Sequence, residues 1–221
     1  MAAATTTSKA TKTIIKKSTT TTKKNEYEIN LDNLTKFFGY WDESHQWLKN
    51  FINERESEIK TGVEIGVAFG SNIKTLLEGT NLETLFGIDP YIEDTWDLHG
   101  TLSVQKEYGS FDSLYEHVSK FLSSYGTRVK LVRMTSEEAS KKFKNNSLDF
   151  VFIDGDHYDI ENDVKYWEPK IRDGGYIMGH DWKHPSFGNI TEFILKHYGE
   201  ENVVGIDGPV HIWYVQKGMF S

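Results

Sequence analysis

The sequence contains no cysteine. That excludes a disulfide scaffold, thiolate-ligated metals, a cysteine nucleophile and a thiol redox switch, and it leaves no argument for an oxidising compartment. No apolar run approaches the ~18 residues of a membrane span. The N-terminus also lacks the apolar stretch of a secretory signal. A cytoplasmic protein with no membrane partner is expected. Basic charge is short as well: 25 Lys and Arg stand against 33 Asp and Glu, a net charge of −8. Residues 1–24 hold six of the lysines and no acid, so the remainder carries 19 basic and 33 acidic residues, a net of −14. A body that acidic is a poor partner for a phosphate backbone, and no nucleic-acid partner is expected.

The 221 residues suffice for one domain with a real core. Residues 1–24 contain nine threonines, four alanines and six lysines, with Ile14 and Ile15 as the only large apolar side chains besides Met1. Such a segment buries too little surface to offset the entropy of ordering, so 1–24 reads as a disordered tail. Residues 25–221 read as the folded domain, and 25–60 as its N-terminal helical cover, with Phe37, Phe38, Trp41, Trp47, Leu48, Phe51 and Ile52 at helix-like spacing.

From Gly62 onward, short apolar runs alternate with amphipathic stretches. Strands are predicted at 62–67, 84–89, 128–133, 148–154, 175–181, 203–206 and 211–215, with helices at 71–77, 113–125, 136–143, 160–167 and 190–198. The alternation implies an α/β doubly wound, mostly parallel sheet of seven strands with helices on both faces. The last two strands are joined only by Asp207-Gly208-Pro209-Val210. A link that short makes a hairpin, so the C-terminal pair is antiparallel.

Open α/β sheets bind ligands beyond the carboxyl ends of their strands. The first strand ends Glu64-Ile65-Gly66-Val67-Ala68-Phe69-Gly70-Ser71-Asn72, where two glycines allow a tight turn and close approach of a ligand. This is neither GxGxxG nor a P-loop. The second strand ends Gly87-Ile88-Asp89-Pro90, which puts an acid about 20 residues after the glycines, where it can meet ribose hydroxyls. With the terminal hairpin, these segments resemble the class I S-adenosylmethionine-dependent methyltransferases, whose fold is Rossmann-like. The resemblance implies Glu64 near the methionine moiety, Gly66, Gly70 and Ser71 under the cofactor, and Asp89 on its ribose. It places Thr135 or Ser136, in the turn Met134-Thr135-Ser136, near the adenine; the same residues equally suit a helix start.

The sharpest motif is Val151-Phe152-Ile153-Asp154-Gly155-Asp156-His157-Tyr158, and the next strand ends Met178-Gly179-His180-Asp181-Trp182. Neighbouring strand ends carrying Asp154 and Asp181 need a cation, a shared proton or a cationic substrate group between them. The pattern IDGDH followed by GG-x-I-x-x-HD resembles small-molecule O-methyltransferases of the macrocin type and the cephalosporin-hydroxylase-like proteins. That resemblance implies a divalent metal, Mg2+ or Mn2+, on Asp154 and Asp181, Asp154 also lining the cofactor pocket, and Asp156 or His157 as the proton acceptor. Where those relatives carry two consecutive acids, this chain has His180-Asp181. With His180 as a ligand the site is softer and less suited to magnesium. The stretch with Tyr91, Trp96, His99 and Tyr108 reads as an aperiodic lid or substrate loop, and the aromatics of 182–188 either as a surface for stacking a sugar ring or as packing of the lid on the body, the commoner role for any single aromatic.

The function expected from these residues is O-methylation of a hydroxyl on a small molecule, most simply a sugar or glycan, by a chain that can form homo-oligomers. The competing readings are an RNA 2′-O-methyltransferase, for which Lys183 is a lone candidate, a non-catalytic cofactor-fold module, and an iron-type facial triad imitated by His157, His180 and Asp154.

Overall fold

Strand β4 (Leu148–Ile153) shows how the layers form. Its side chains alternate across the sheet: Phe150 and Phe152 join one apolar cluster, while Val151 and Ile153 join another. Every residue from Phe150 to Ile153 is buried, as expected of a central strand covered on both faces. The computed structural model describes residues 41–96 and 98–218. The Thr/Lys-rich tail, Phe37 and Phe38 lie outside the described residues.

Around β4, the strands β1 (Thr61–Ile65), β2 (Thr84–Ile88), β3 (Val129–Val132), β5 (Ile171–Gly179), β6 (Val204–Ile206) and β7 (Ile212–Gln216) complete one sheet. Its order is β3-β2-β1-β4-β5-β7-β6. The first five strands pair in parallel. β7 runs antiparallel to both β5 and β6, inserted between them. The expected fold class is therefore the observed one.

On one face lie α1 (Trp41–Asn53), α2 (Ser71–Gly79) and α4 (Phe111–Leu122), which contribute Leu48, Phe51, Ile52, Ile73, Leu76, Leu114 and Val118 to the first cluster. On the other lie α6 (Ile160–Trp167) and α7 (Gly188–Tyr198), with Val164, Trp167, Ile190 and Ile194. Burying each such aliphatic side chain stabilises the fold by roughly 1.5–3 kcal/mol. Polar fasteners hold the edges. The Arg128 guanidinium donates to the carbonyls of Leu77, Thr80 and Leu82, capping the end of α2 and tying it to β3. Asp149 accepts from the Lys60 and Thr61 amides and from Arg172 Nε.

Two elements differ from the sequence expectation. The stretch expected to be an aperiodic lid contains an eleven-residue helix, α3 (Leu98–Tyr108). Its buried side chains include Thr101, Ser103 and Val104, whereas Leu102 is exposed. A helix that buries small and polar residues leaves no apolar period to read. β5 begins four residues earlier than expected, because its register with β4 shifts between Leu148 and Phe150 around Gly174. No helix among the described residues is long and apolar enough to cross a membrane.

Candidate active site

The carboxyl ends of β1, β2, β4 and β5 meet along one edge of the sheet, and backbone hydrogen bonds stitch them together. Gly66 N donates to Ile88 O (2.9 Å), Asp154 N to Ile65 O (2.8 Å) and His180 N to Ile153 O (3.0 Å). Gly66 has φ 85°, and a Cβ there would fall 2.0 Å from the Asp154 carbonyl oxygen. Only glycine fits at this crossing of two strand ends. Gly70, at φ 77°, starts α2 without a side-chain cap and leaves the first amides of the helix, from Ser71 on, to other acceptors.

Asp89 is buried and organises this turn. Its Oδ2 accepts from the amides of Val67 (3.1 Å) and Ala68 (2.9 Å), and Oδ1 accepts from Tyr91 N (2.7 Å). Burial raises its pKa, against the three amide hydrogen bonds that favour the carboxylate. Beneath the turn, Glu64 Oε2 and both amide atoms of Asn72 are buried with no well-formed hydrogen bond among the described residues, although the Asn72 side chain lies close enough to the Glu64 carboxyl to favour its ionised form. Burial, then the nearby Asp154 charge, pushes the Glu64 carboxyl well above its ordinary range. Unsatisfied buried groups of this kind are costly, typically ~1–3 kcal/mol each, unless a ligand completes them. Asn72 was not singled out in the sequence; its place at the helix start, two residues after Gly70, is the signal that could have found it.

Thr135 and Ser136 hold local bonds instead. Thr135 caps α5 (Ser136–Ser140) in a reciprocal box with Glu138. The Ser136 hydroxyl donates to the Asp163 carboxylate and accepts from Trp167 Nε1 (2.8 Å). These protein partners engage the side chains that the resemblance placed near an adenine. Asp163, which the sequence reading passed over, is buried, and that burial pushes its pKa up to about 7.

The chemistry-bearing residues converge at the ends of β4 and β5. His157 Nε2 lies 3.0 Å from Asp181 Oδ2. His180 Nδ1 lies 3.3 Å from Asp181 Oδ1 and 3.6 Å from Asp154 Oδ1. Burial opposes charge on His180, but the Asp154 and Asp181 carboxylates raise its pKa to about 9. Burial likewise opposes charge on Asp181, yet hydrogen bonds from His157 and His180 hold it well below the usual range. Burial raises Asp154. His157 is raised by its Asp181 partner despite burial. Asp156 stands outside this cluster. It is exposed, and its Oδ1 accepts from Tyr158 N (2.9 Å) in its own turn. Of the two proposed proton acceptors, the structure brings only His157 into the constellation.

The carboxylates of Asp154 and Asp181 and a ring nitrogen of His180 offer ligand atoms all within 4.8 Å of one another. A two-oxygen, one-nitrogen set fits a divalent cation of the manganese or zinc type better than magnesium, which favours oxygen throughout.

The aromatics after β5 are arranged differently from the expected open stacking surface. Trp182 is buried and donates to Asp207 (3.1 Å). The Phe187 ring stacks on His157 (4.1 Å between centroids, 7° apart) and on His184 (5.0 Å, 23°). Phe187 is therefore engaged by protein rings rather than presented as a free platform for a sugar. Tyr158, 80% exposed, meets Phe187 only edge-on (6.2 Å between centroids).

A family model described as a methyltransferase domain matches residues 63–182. That span is more than half of the chain and runs from β1 to the residue after Asp181. The chain belongs to this methyltransferase family. Two curated relatives, both named as uncharacterised proteins, also match. Protein R132 of Acanthamoeba polyphaga mimivirus is 28% identical over 142 residues, covering 62% of this chain and 58% of the relative. Protein y4gI of Sinorhizobium fredii is 24% identical over 139 residues, covering 61% of this chain and 14% of the relative. The matched stretch thus spans less than two thirds of either relative. Among solved structures, a Podospora anserina methyltransferase with S-adenosylhomocysteine bound superposes with a TM-score of 0.58 at 15% identity, covering 78% of this chain and 77% of that one. A Staphylococcus aureus protein named as a candidate caffeoyl-CoA O-methyltransferase gives 0.57 at 13% identity, covering 86% and 93%. At such identities the likeness is one of fold.

Proposed function

We infer that this methyltransferase takes S-adenosylmethionine as its methyl donor and acts on a hydroxyl of a small molecule, a sugar or glycan being the acceptor class that its sequence motifs suggest. The observation that supports this most is the meeting, at one sheet edge, of the Gly66 turn with its unsatisfied Glu64 and Asn72, and the His157–Asp181 pair. The donor, when bound, supplies an electrophilic methyl carbon attached to a positively charged sulfur. Glu64 and Asn72 suit its ammonium and carboxylate ends, the open N-terminus of α2 favours the carboxylate, and the turn held by Asp89 shapes the floor. His157 accepts the proton of the acceptor hydroxyl, and Asp181 stabilises the imidazolium that results. A divalent cation would be held by Asp154, His180 and Asp181, where it would lower the pKa of a bound hydroxyl. The names of O-methyltransferase-like neighbours favour oxygen as the acceptor atom.

The test is transfer of a labelled methyl group from S-adenosylmethionine to a panel of monosaccharides and short glycans. The parent protein should label at least one, and His157→Ala should lower that rate about 10²–10⁴-fold. Labelling of amines instead, or a rate indifferent to His157, would overturn the reading.

A further inference from the structure

His157 is restrained from several sides, by Asp181 and by residues outside the methyl-transfer chemistry. Its Nε2 is engaged by Asp181. Its ring lies flat on Phe187, which in turn stacks on His184. Its backbone carbonyl accepts from Asn189 Nδ2 (2.9 Å). Phe187 caps the start of α7 and Asn189 lies in its first turn, and the segment leading into the helix is itself anchored. Lys183 N donates to Thr191 Oγ1 (2.8 Å), Phe187 N to His184 O (3.1 Å) and Trp182 N to His211 O (2.9 Å). Asp181 and Lys183 both hold left-handed backbone, at φ 62° and 50°. Two such non-glycine residues within three positions cost on the order of 1 kcal/mol or more each, and they persist only where surrounding contacts enforce them.

We propose that Phe187, with Asn189, is a positioning residue that locks the His157 ring with Nε2–H on Asp181 and leaves Nδ1 as the proton-accepting nitrogen. The idea rests on His157 being the base, and it adds which nitrogen works and what orients it. A neutral imidazole has one donor and one acceptor nitrogen. Asp181, an acceptor, fixes Nε2 as the donor, so the lone pair sits on Nδ1. Among the described residues no hydrogen bond reaches Nδ1. Asp181 alone sets one direction, and the ring could still pivot about that hydrogen bond. The flat Phe187 contact removes the pivot, as preorganisation of a base requires.

The test is ¹⁵N NMR of the full-length protein labelled at histidine, in chelator, without donor or acceptor, at a pH where His157 is neutral. A protected Nε2–H signal is expected, absent in Asp181→Ala. In Phe187→Ala its exchange should quicken by several-fold to about tenfold, the scale of an aromatic stack. Phe187→Tyr should restore it, and Asn189→Ala should give a smaller change if Phe187→Ala fails to fold. A proton found on Nδ1 in the parent protein, or an Nε2–H unchanged in both Phe187→Ala and Asn189→Ala, would overturn the proposal. Since no turnover is measured, these outcomes are independent of whether methyl transfer itself has been assigned correctly.

Discussion

Asp163 makes the stability of this protein depend on pH in a direction opposite to that of most acids. Its folded pKa, about 7, lies above the ordinary 3.8 because burial disfavours the carboxylate. The folded state therefore holds the proton more tightly than the unfolded chain. The stability this gives is present below about pH 4 and is lost as pH rises towards 7. Asp163→Asn keeps an acceptor for the Ser136 hydroxyl and removes the titration. Its unfolding free energy relative to the parent, read from denaturant melts, should climb between about pH 4 and pH 7 and level off above, a gain of roughly 2–4 kcal/mol at most. A difference that stays flat across that range would mean that Asp163 is ionised throughout. This residue also marks what a sequence conceals. Asp154 and His157 were legible because an apolar strand ends abruptly on them. Asp163 lies on a helix, at a position that periodicity assigns no chemistry, and only the fold shows that it is buried and bonded to Ser136, which also accepts from Trp167.

At the scale of elements, the turn from β1 into α2 is the least tolerant segment. Gly66→Ala would force a Cβ to within 2.0 Å of the Asp154 carbonyl and hold alanine at φ 85°. The expected loss is about 3 kcal/mol or more by denaturant unfolding, with cofactor binding lost as the β1 and β4 ends separate. A variant of parental stability would mean that the two strand ends are less tightly crossed. The turn after β3 should behave differently. Thr135→Ala removes one half of a capping box and should cost ~1 kcal/mol of stability. Its affinity for S-adenosylhomocysteine should stay near the parental value, and a large loss would instead give Thr135 a direct contact with the adenine. Both turns were located from sequence by their glycines and hydroxyls. Helix α3 was not, because a helix that buries Thr101 and Ser103 and exposes Leu102 has no apolar stripe.

For the whole molecule, the alternation of strands and helices was enough to give a parallel sheet, and the short 207–210 link was enough to give an antiparallel end. The insertion of β7 between β5 and β6 was not legible from a hairpin alone, because either strand of a hairpin can add to an existing edge. The sheet brings the ends of β1, β2, β4 and β5 into one rim, and the proposed function has the Gly66 turn and the His157–Asp181 pair share a ligand there. The clearest check is calorimetric titration of S-adenosylhomocysteine into the full-length protein, paired with its melting curve. One binding event is expected, with the folded state stabilised by about 2.7 kcal/mol when free ligand reaches a hundredfold excess over Kd, and with weaker binding in Glu64→Ala. Absence of both heat and thermal shift at millimolar ligand, in a protein that is otherwise folded, would contradict the assignment of this rim as a donor site.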